Sequence, residues 1–131
     1  MSKSVITNVA KGKMVKARAG IISALPKIVG MAFGDGARNG SGYRTPLSRD
    51  TALQNELLRK NVDSVALQDD GISVRYNCTL EKAELAGETI NEIALYDAEG
   101  DLVAIKVFAD KGKDGDMEME FSVLDKFSDE S

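Results

Sequence analysis

Asn91-Glu92-Ile93-Ala94-Leu95-Tyr96-Asp97-Ala98-Glu99-Gly100-Asp101-Leu102-Val103-Ala104 is the stretch that decides the fold. Its first half alternates. Ile93 and Leu95 fall on one face of an extended chain, and Glu92, Ala94 and Tyr96 fall on the other. Asp97-Ala98-Glu99-Gly100 carries turn chemistry, because an aspartate can bond its own backbone and a glycine tolerates positive φ. Leu102 and Ala104 return on a partner strand. The stretch therefore predicts an antiparallel hairpin.

Working outward, period two continues through most of the second half. Residues 62–67 alternate, and Asp69-Asp70-Gly71 supplies a tight hairpin turn. Ile72, Val74, Tyr76, Cys78 and Leu80 alternate with polar residues, and strands are expected over 89–96 and 102–108. Met117, Met119, Phe121 and Val123 then line one face of a last strand over 117–124.

Upstream the period looks helical. Val9, Met14, Ala17, Ile21, Ile22 and Leu25 recur at three- and four-residue steps, and Ser4, or Thr7 with Asn8, can start a helix that Pro26 must end. Gly20 lies inside that pattern at the usual propensity cost of about 1 kcal/mol. Residues 27–33 are a short strand candidate running into Gly34-Asp35-Gly36. Residues 37–46 form a Gly-, Ser- and Asn-rich loop, a place for ligand or partner contact. A second helix is expected after Pro46, with Ser48 or Asp50 at its start, Leu53, Leu57 and Leu58 as its apolar stripe, and its end near Asn61. The expected class is α+β: two N-terminal helices packed on an antiparallel β-meander of about five strands.

The chain has 131 residues, enough for one domain, with 43% apolar and 29% charged residues. Its net charge of −4 argues against a nucleic-acid partner. The charge is uneven: Lys11, Lys13, Lys16 and Arg18 stand together without an acid, and the last third is acid-rich. That asymmetry suits assembly with an oppositely charged neighbour. One cysteine excludes an intrachain disulfide and suits cytosolic assembly. With no histidine, a Cys–His pair is excluded, and Cys78 reads as a small core residue. No signal-peptide pattern and no membrane-spanning stretch is visible.

Three motifs invite a chemical role and fail it. The run Gly34-Asp35-Gly36-Ala37-Arg38-Asn39-Gly40 has neither dinucleotide-loop spacing nor a P-loop lysine. Asp110, Asp114 and Asp116 lack calcium-loop spacing, and Lys111 and Lys113 between them repel a cation. Glu92 is a single mid-strand carboxylate with no histidine and no evident second acid, so it reads as a bonded structural group. No enzyme activity and no cofactor or metal is expected.

The order of these segments resembles the N-terminal attachment domain of the phage tail-collar fibre family. Met31-Ala32-Phe33-Gly34-Asp35-Gly36, then residues 53–59, then the opening hairpin match its pattern, in which the hairpin reads Glu-Ile/Val-Gly-Leu-Tyr/Phe-Asp-x-x-Gly-x-Leu-Ile/Val-Ala. The motif positions here are Gly34, Asp35, Gly36, Glu92, Leu95, Tyr96, Asp97 and Gly100. Ala94 stands where the family has glycine, a departure that puts a close backbone approach in question. The resemblance implies one attachment domain over residues 1–127 with a frayed tail at 128–131. It implies a structural part of a phage or phage-derived contractile tail that joins a fibre or peripheral protein to the baseplate. Partners would be baseplate or tail-fibre proteins and further copies of the chain, as a trimer, with no nucleic acid or membrane. The site would be the host cytoplasm during assembly and then the virion tail. Lys13, Lys16, Arg18, Arg38 and Tyr43 are the candidate assembly contacts. Family members continue into a shaft and receptor-binding tip, whereas this sequence stops after the attachment module, so either a separate small adaptor or a fragment is expected, and for an adaptor receptor binding is not implied. The alternative is a small adhesin that binds a host glycan or protein, for which Tyr43 is the one aromatic in the long loop.

Overall fold

The computed structural model describes residues 2–126. Among them are ten strands and one helix: β1 (Ser2–Ile6), α1 (Asn8–Arg18), β2 (Ile28–Gly34), β3 (Arg38–Asn39), β4 (Gly42–Tyr43), β5 (Glu56–Asn61), β6 (Ser64–Leu67), β7 (Ser73–Leu80), β8 (Thr89–Asp97), β9 (Leu102–Gly112) and β10 (Met119–Lys126). A five-stranded sheet in the order β1-β9-β8-β2-β5 stacks on a three-stranded sheet in the order β10-β7-β6. All pairings are antiparallel, and β3 and β4 form a separate small hairpin.

The core between the sheets follows from the alternation. Ile93 and Leu95 of β8 and Met31 and Phe33 of β2 meet Cys78 and Leu80 of β7 and Phe121 and Val123 of β10. Phe121 meets Phe33 edge-on with ring centroids 5.2 Å apart. The opposite face of the large sheet holds a smaller cluster of Ala32, Ala94, Leu102 and Ile105 under Leu53. Leu102 joins that cluster because Val103 is an extra residue in the β8–β9 ladder. Leu95 pairs with Ala104 and Tyr96 with Leu102, so the bulge turns Leu102 to the Tyr96 face. The central strand β8 is thereby covered on both sides. Ala94, 1% exposed, fills its place with a methyl group that packs beside Ala32.

The strands pair as two stacked sheets and not as one meander. The chain changes sheets at Val62-Asp63, where the Val62 N–H donates to Val29 O in one ladder and the Asp63 N–H to Asn77 O in the other. The expectation of two helices on a meander is therefore corrected to a β-sandwich with one short helix.

The predicted second helix is a loop followed by β5. Leu53, Leu57 and Leu58 fit a helical stripe, but β2 offers an unpaired edge, and pairing with it outweighs local propensity. Asp50 does not start a helix. Its carboxylate takes two bonds from the Arg44 guanidinium, at 2.7 and 3.0 Å, and one from the Leu47 N–H at 2.9 Å. The Ser48 carbonyl accepts the Asn8 N–H.

The first helix forms but is short. The Thr7 hydroxyl accepts the Ala10 N–H at 3.1 Å and donates to Leu102 O at 2.7 Å, which caps α1 and pins it to β9. Gly20, at φ +75°, ends it: its N–H bonds Ala17 O while the Ile21 N–H bonds Lys16 O. The glycine that the periodicity counts as an interior cost is thus the stop signal. Ahead of the helix, residues 2–6 form an edge strand. The C-terminal residues 128–131 lie outside the described part.

The Arg44 hydrogen bonds hold the Asp50 carboxyl below the ordinary aspartate value of 3.8, against the opposing effect of burial. A depressed folded pKa adds stability above the ordinary value, and that stability is lost as pH falls through the folded one. Asp50→Asn should therefore lower the urea midpoint at about pH 7 and converge on the parent chain near about pH 2. A gap unchanged down to that pH would contradict the ion pair's role.

Candidate functional site

The motif residues converge on the two ends of β8. At one end Glu92, 1% exposed, points away from the sandwich core into the turn after β2. Its Oε2 accepts the backbone N–H groups of Gly36 and Asn55, and its Oε1 accepts that of Gln54, each at 2.9 Å. Its neighbour Asn91, equally buried, accepts the Ala37 N–H at 3.0 Å and donates to Asp35 O at 3.1 Å and to Asp110 Oδ1 at 3.2 Å. Asp35 in turn accepts from Asn55 Nδ2 at 2.7 Å. A Cβ on Gly36 would lie 2.6 Å from Asn55 N and 2.8 Å from Gln54 C, so no other residue fits between the two connections. Gly34-Asp35-Gly36 is therefore the docking turn of a clamp closed by adjacent side chains of β8.

At the other end Asp97, 2% exposed, shapes the hairpin turn. Its Oδ1 accepts the N–H groups of Glu99 and Asp101, and Gly100 takes φ +88°. Asp97, Glu99 and Asp101 bring their oxygens within 4.8 Å of one another, an arrangement that suits a cation. Lys13 supplies it. The ammonium lies 2.7 Å from Asp97, 2.8 Å from Glu99 and 2.8 Å from Asp101. Burial opposes this charge, but the hydrogen bonds to Asp101, Asp97 and Glu99 outweigh it and hold the Lys13 pKa above the ordinary lysine value. Nearby, Arg59 stacks 4.7 Å over the Tyr96 ring and donates to Gly100 O at 3.0 Å.

The expected contact residues are distributed over three places. Lys13 is consumed inside the chain by the acid trio. Lys16 and Arg18 are exposed on the last turn of α1. Arg38 and Tyr43 face each other across the β3–β4 hairpin, with the guanidinium 4.9 Å over the ring and 3.1 Å from Asp110. The Tyr43 hydroxyl accepts the Asp110 N–H at 3.0 Å, which fastens this hairpin to β9. Leu95 belongs to the core. Cys78 is fully buried, and burial pushes its thiol up to about 11, so it is no nucleophile at neutral pH. Asn91, Arg44 and Arg59 are structural residues whose bonds the sequence patterns do not single out, and Asp50, expected at a helix start, is instead the partner of Arg44. An adjacent Asn-Glu pair inside an otherwise apolar strand was the available signal for Asn91.

Replacing Glu92 by glutamine keeps the shape but sets an NH2 group against backbone donors that now have an oxygen. At least one N–H facing the buried carboxylate loses its partner, at a cost of about 1–3 kcal/mol. The expected outcome for Glu92→Gln is a fall of that size in urea-denaturation stability, and a loss under about 0.5 kcal/mol would contradict the clamp.

A model of one protein family, the phage tail-collar fibre protein N-terminal domain, matches residues 1–122. No curated protein and no solved structure matches the chain. Nearly the whole length, including both ends of β8 and the turn they clamp, falls inside that match, and the chain belongs to the phage tail-collar fibre protein family as its N-terminal domain.

Proposed function

We propose that this chain is an attachment module that joins a fibre or other peripheral protein to the baseplate of a contractile tail, phage or phage-derived. The family match over residues 1–122 carries the reading, because it makes the chain a tail structural component. The architecture suits the role. An attachment part transmits force and needs rigid connections more than a pocket with chemistry. Here the long connection between β2 and β5 is held by Glu92, Asn91 and the Arg44–Asp50 pair, and α1 is held by Lys13. The chain works as a homo-oligomer among tail proteins, as a single domain over residues 1–127. Among the described residues no helix is long and apolar enough to cross a membrane.

Lys16, Arg18, Arg38 and Tyr43 are the proposed contact residues, and Lys13 supports them by fixing the helix. The adhesin alternative rests on a single loop aromatic, Tyr43, which stacks under Arg38 and bonds β9 through its hydroxyl. Tail structural genes beside the gene for this chain would also favour attachment.

Co-expression with the neighbouring baseplate and fibre proteins should recover a stable complex. Combined reversal of Lys16, Arg18 and Arg38 to glutamate should weaken it by about 10-fold or more at low salt and flatten its salt dependence. No complex with any tail protein, together with tight glycan binding by the isolated chain, would overturn the reading.

A further inference from the structure

The two sheets differ in width. The large one has five strands and the small one three, so the small sheet roofs only part of the inner face of the large one. Phe121 of β10 packs on Phe33 of β2 and reaches Phe108 of β9, with ring centroids 5.2 and 6.1 Å apart. Among the described residues no strand of the small sheet lies beyond β10, and a trough runs there between β10 and the inner face of β9. Its floor is Ile93, Ala104, Lys106 and Phe108, and its wall is Phe121 and Val123.

That wall is also a free strand edge. Asn77 O accepts the Asp63 N–H and the Thr79 N–H donates to the Asp63 carboxylate, so these two β7 residues aim their backbone away from β10. Their partners on β10 are Ser122 and Glu120, and such pairs in an antiparallel ladder do not bond each other. Both therefore turn their N–H and C=O groups to the open side, as does Leu124 two residues on. Among the described residues no strand bonds this edge. β10 has eight residues, whereas the other edge strands β1, β5 and β6 have five, six and four.

The floor carries one charge in its middle. Lys106 pairs with Ser4 on one side and Ile93 on the other, and Ala104 and Phe108 are its neighbours on the same face of β9. Lys106 is half-buried, and among the described residues no carboxylate lies within ion-pair distance of it. Lys11 and Lys111 stand toward the two ends of the trough, and Glu120, Asp125 and Lys126 belong to its β10 wall. Every charge that α1 and β9 bring to the trough is thus positive.

We propose that an extended segment of a different tail protein adds to β10 as a fourth strand of the small sheet and places a carboxylate over Lys106. This deepens the attachment function proposed above and rests on it. Backbone bonds to Glu120, Ser122 and Leu124 supply affinity whatever the sequence of the incoming strand, and its alternate side chains reach the trough floor. Lys106 decides which strand is accepted. An all-apolar strand would bury the ammonium without compensation, whereas an acid at that place pairs with it. The same inward charge keeps a long open edge from pairing indiscriminately.

Amide hydrogen exchange of the full chain, alone and in the complex recovered by co-expression with the neighbouring baseplate and fibre proteins, tests this. In the chain alone the Glu120, Ser122 and Leu124 amides should exchange fast beside protected Phe121 and Val123, and in the complex all three should slow by about 10-fold or more. Lys106→Glu should weaken the complex by about 10-fold or more, and Lys106→Arg should preserve it. Ser122→Pro removes one outward N–H and leaves the β7 ladder its donors, so it should weaken the complex while the Phe121 and Val123 amides stay protected. A complex in which the three amides exchange as fast as in the chain alone, or one indifferent to Lys106→Glu, overturns this contact and leaves the attachment function standing. Protection of the three amides already in the chain alone also overturns it: protection that fades on dilution assigns the edge to a second copy, and protection that persists assigns it to the chain's own residues. No complex with any tail protein overturns this contact together with the attachment it serves.

Discussion

The carboxylate of Glu92 sits inside the central strand of the larger sheet, 1% exposed, where an ionised group is costly unless its oxygens are bonded. Three backbone N–H groups bond it, and they come from two connections far apart in the chain, at Gly36 and at Gln54-Asn55. Such bonds to a charged acceptor are stronger than neutral ones, and each also gives a backbone donor outside the strand ladders a partner. The outcome reaches beyond the turn. With the two connections drawn over β8, Leu53 covers Ala32 and Ala94, and the sheet gains a second buried face. The Gly-Asp-Gly turn is fixed by that closure, and the clamped residues Gln54 and Asn55 lead directly into β5 on the edge of β2.

The other end of β8 uses the opposite charge in the same way. Lys13 fills a trio of carboxylates at the hairpin turn and fastens a helix that buries little else than Ala10. Without this pin and the Thr7 cap, an eleven-residue helix with so small a buried face would be marginal in water. Both ends of one strand therefore hold connections in place by polar bonds, while the sandwich core supplies the apolar burial. A tail component built like this holds its helix and its long connection on a fixed frame.

Much of the β half of the molecule was legible, because alternation and turn residues act locally: the hairpin of β8 and β9, the turn at Gly71, β7 and β10 were all placed from period and turn chemistry. The family was legible from Glu92 to Ala104. The sheet partition was not, since nothing at Val62-Asp63 announces that the chain leaves one ladder for another. The second helix failed at Leu53, Leu57 and Leu58, where a spacing common to helix and strand was resolved by the open edge of β2. At the site, the sequence marked Gly34, Asp35, Gly36 and Glu92 but gave no hint that they touch, because their link is a side chain bonding backbone about forty to sixty residues away. Lys13 was read as a surface charge for the same reason: its three partners lie in a turn more than eighty residues on.

Native-state amide hydrogen exchange of the Gly36, Gln54 and Asn55 N–H groups bears most directly on the Glu92 clamp. All three donate to Glu92 and to no strand ladder, so without the clamp they would exchange like open loop amides. The account predicts that they are protected nearly to the level of global unfolding and lose that protection together in Glu92→Gln. Fast exchange at these three positions in the parent chain, beside well-protected β8 amides, would contradict it.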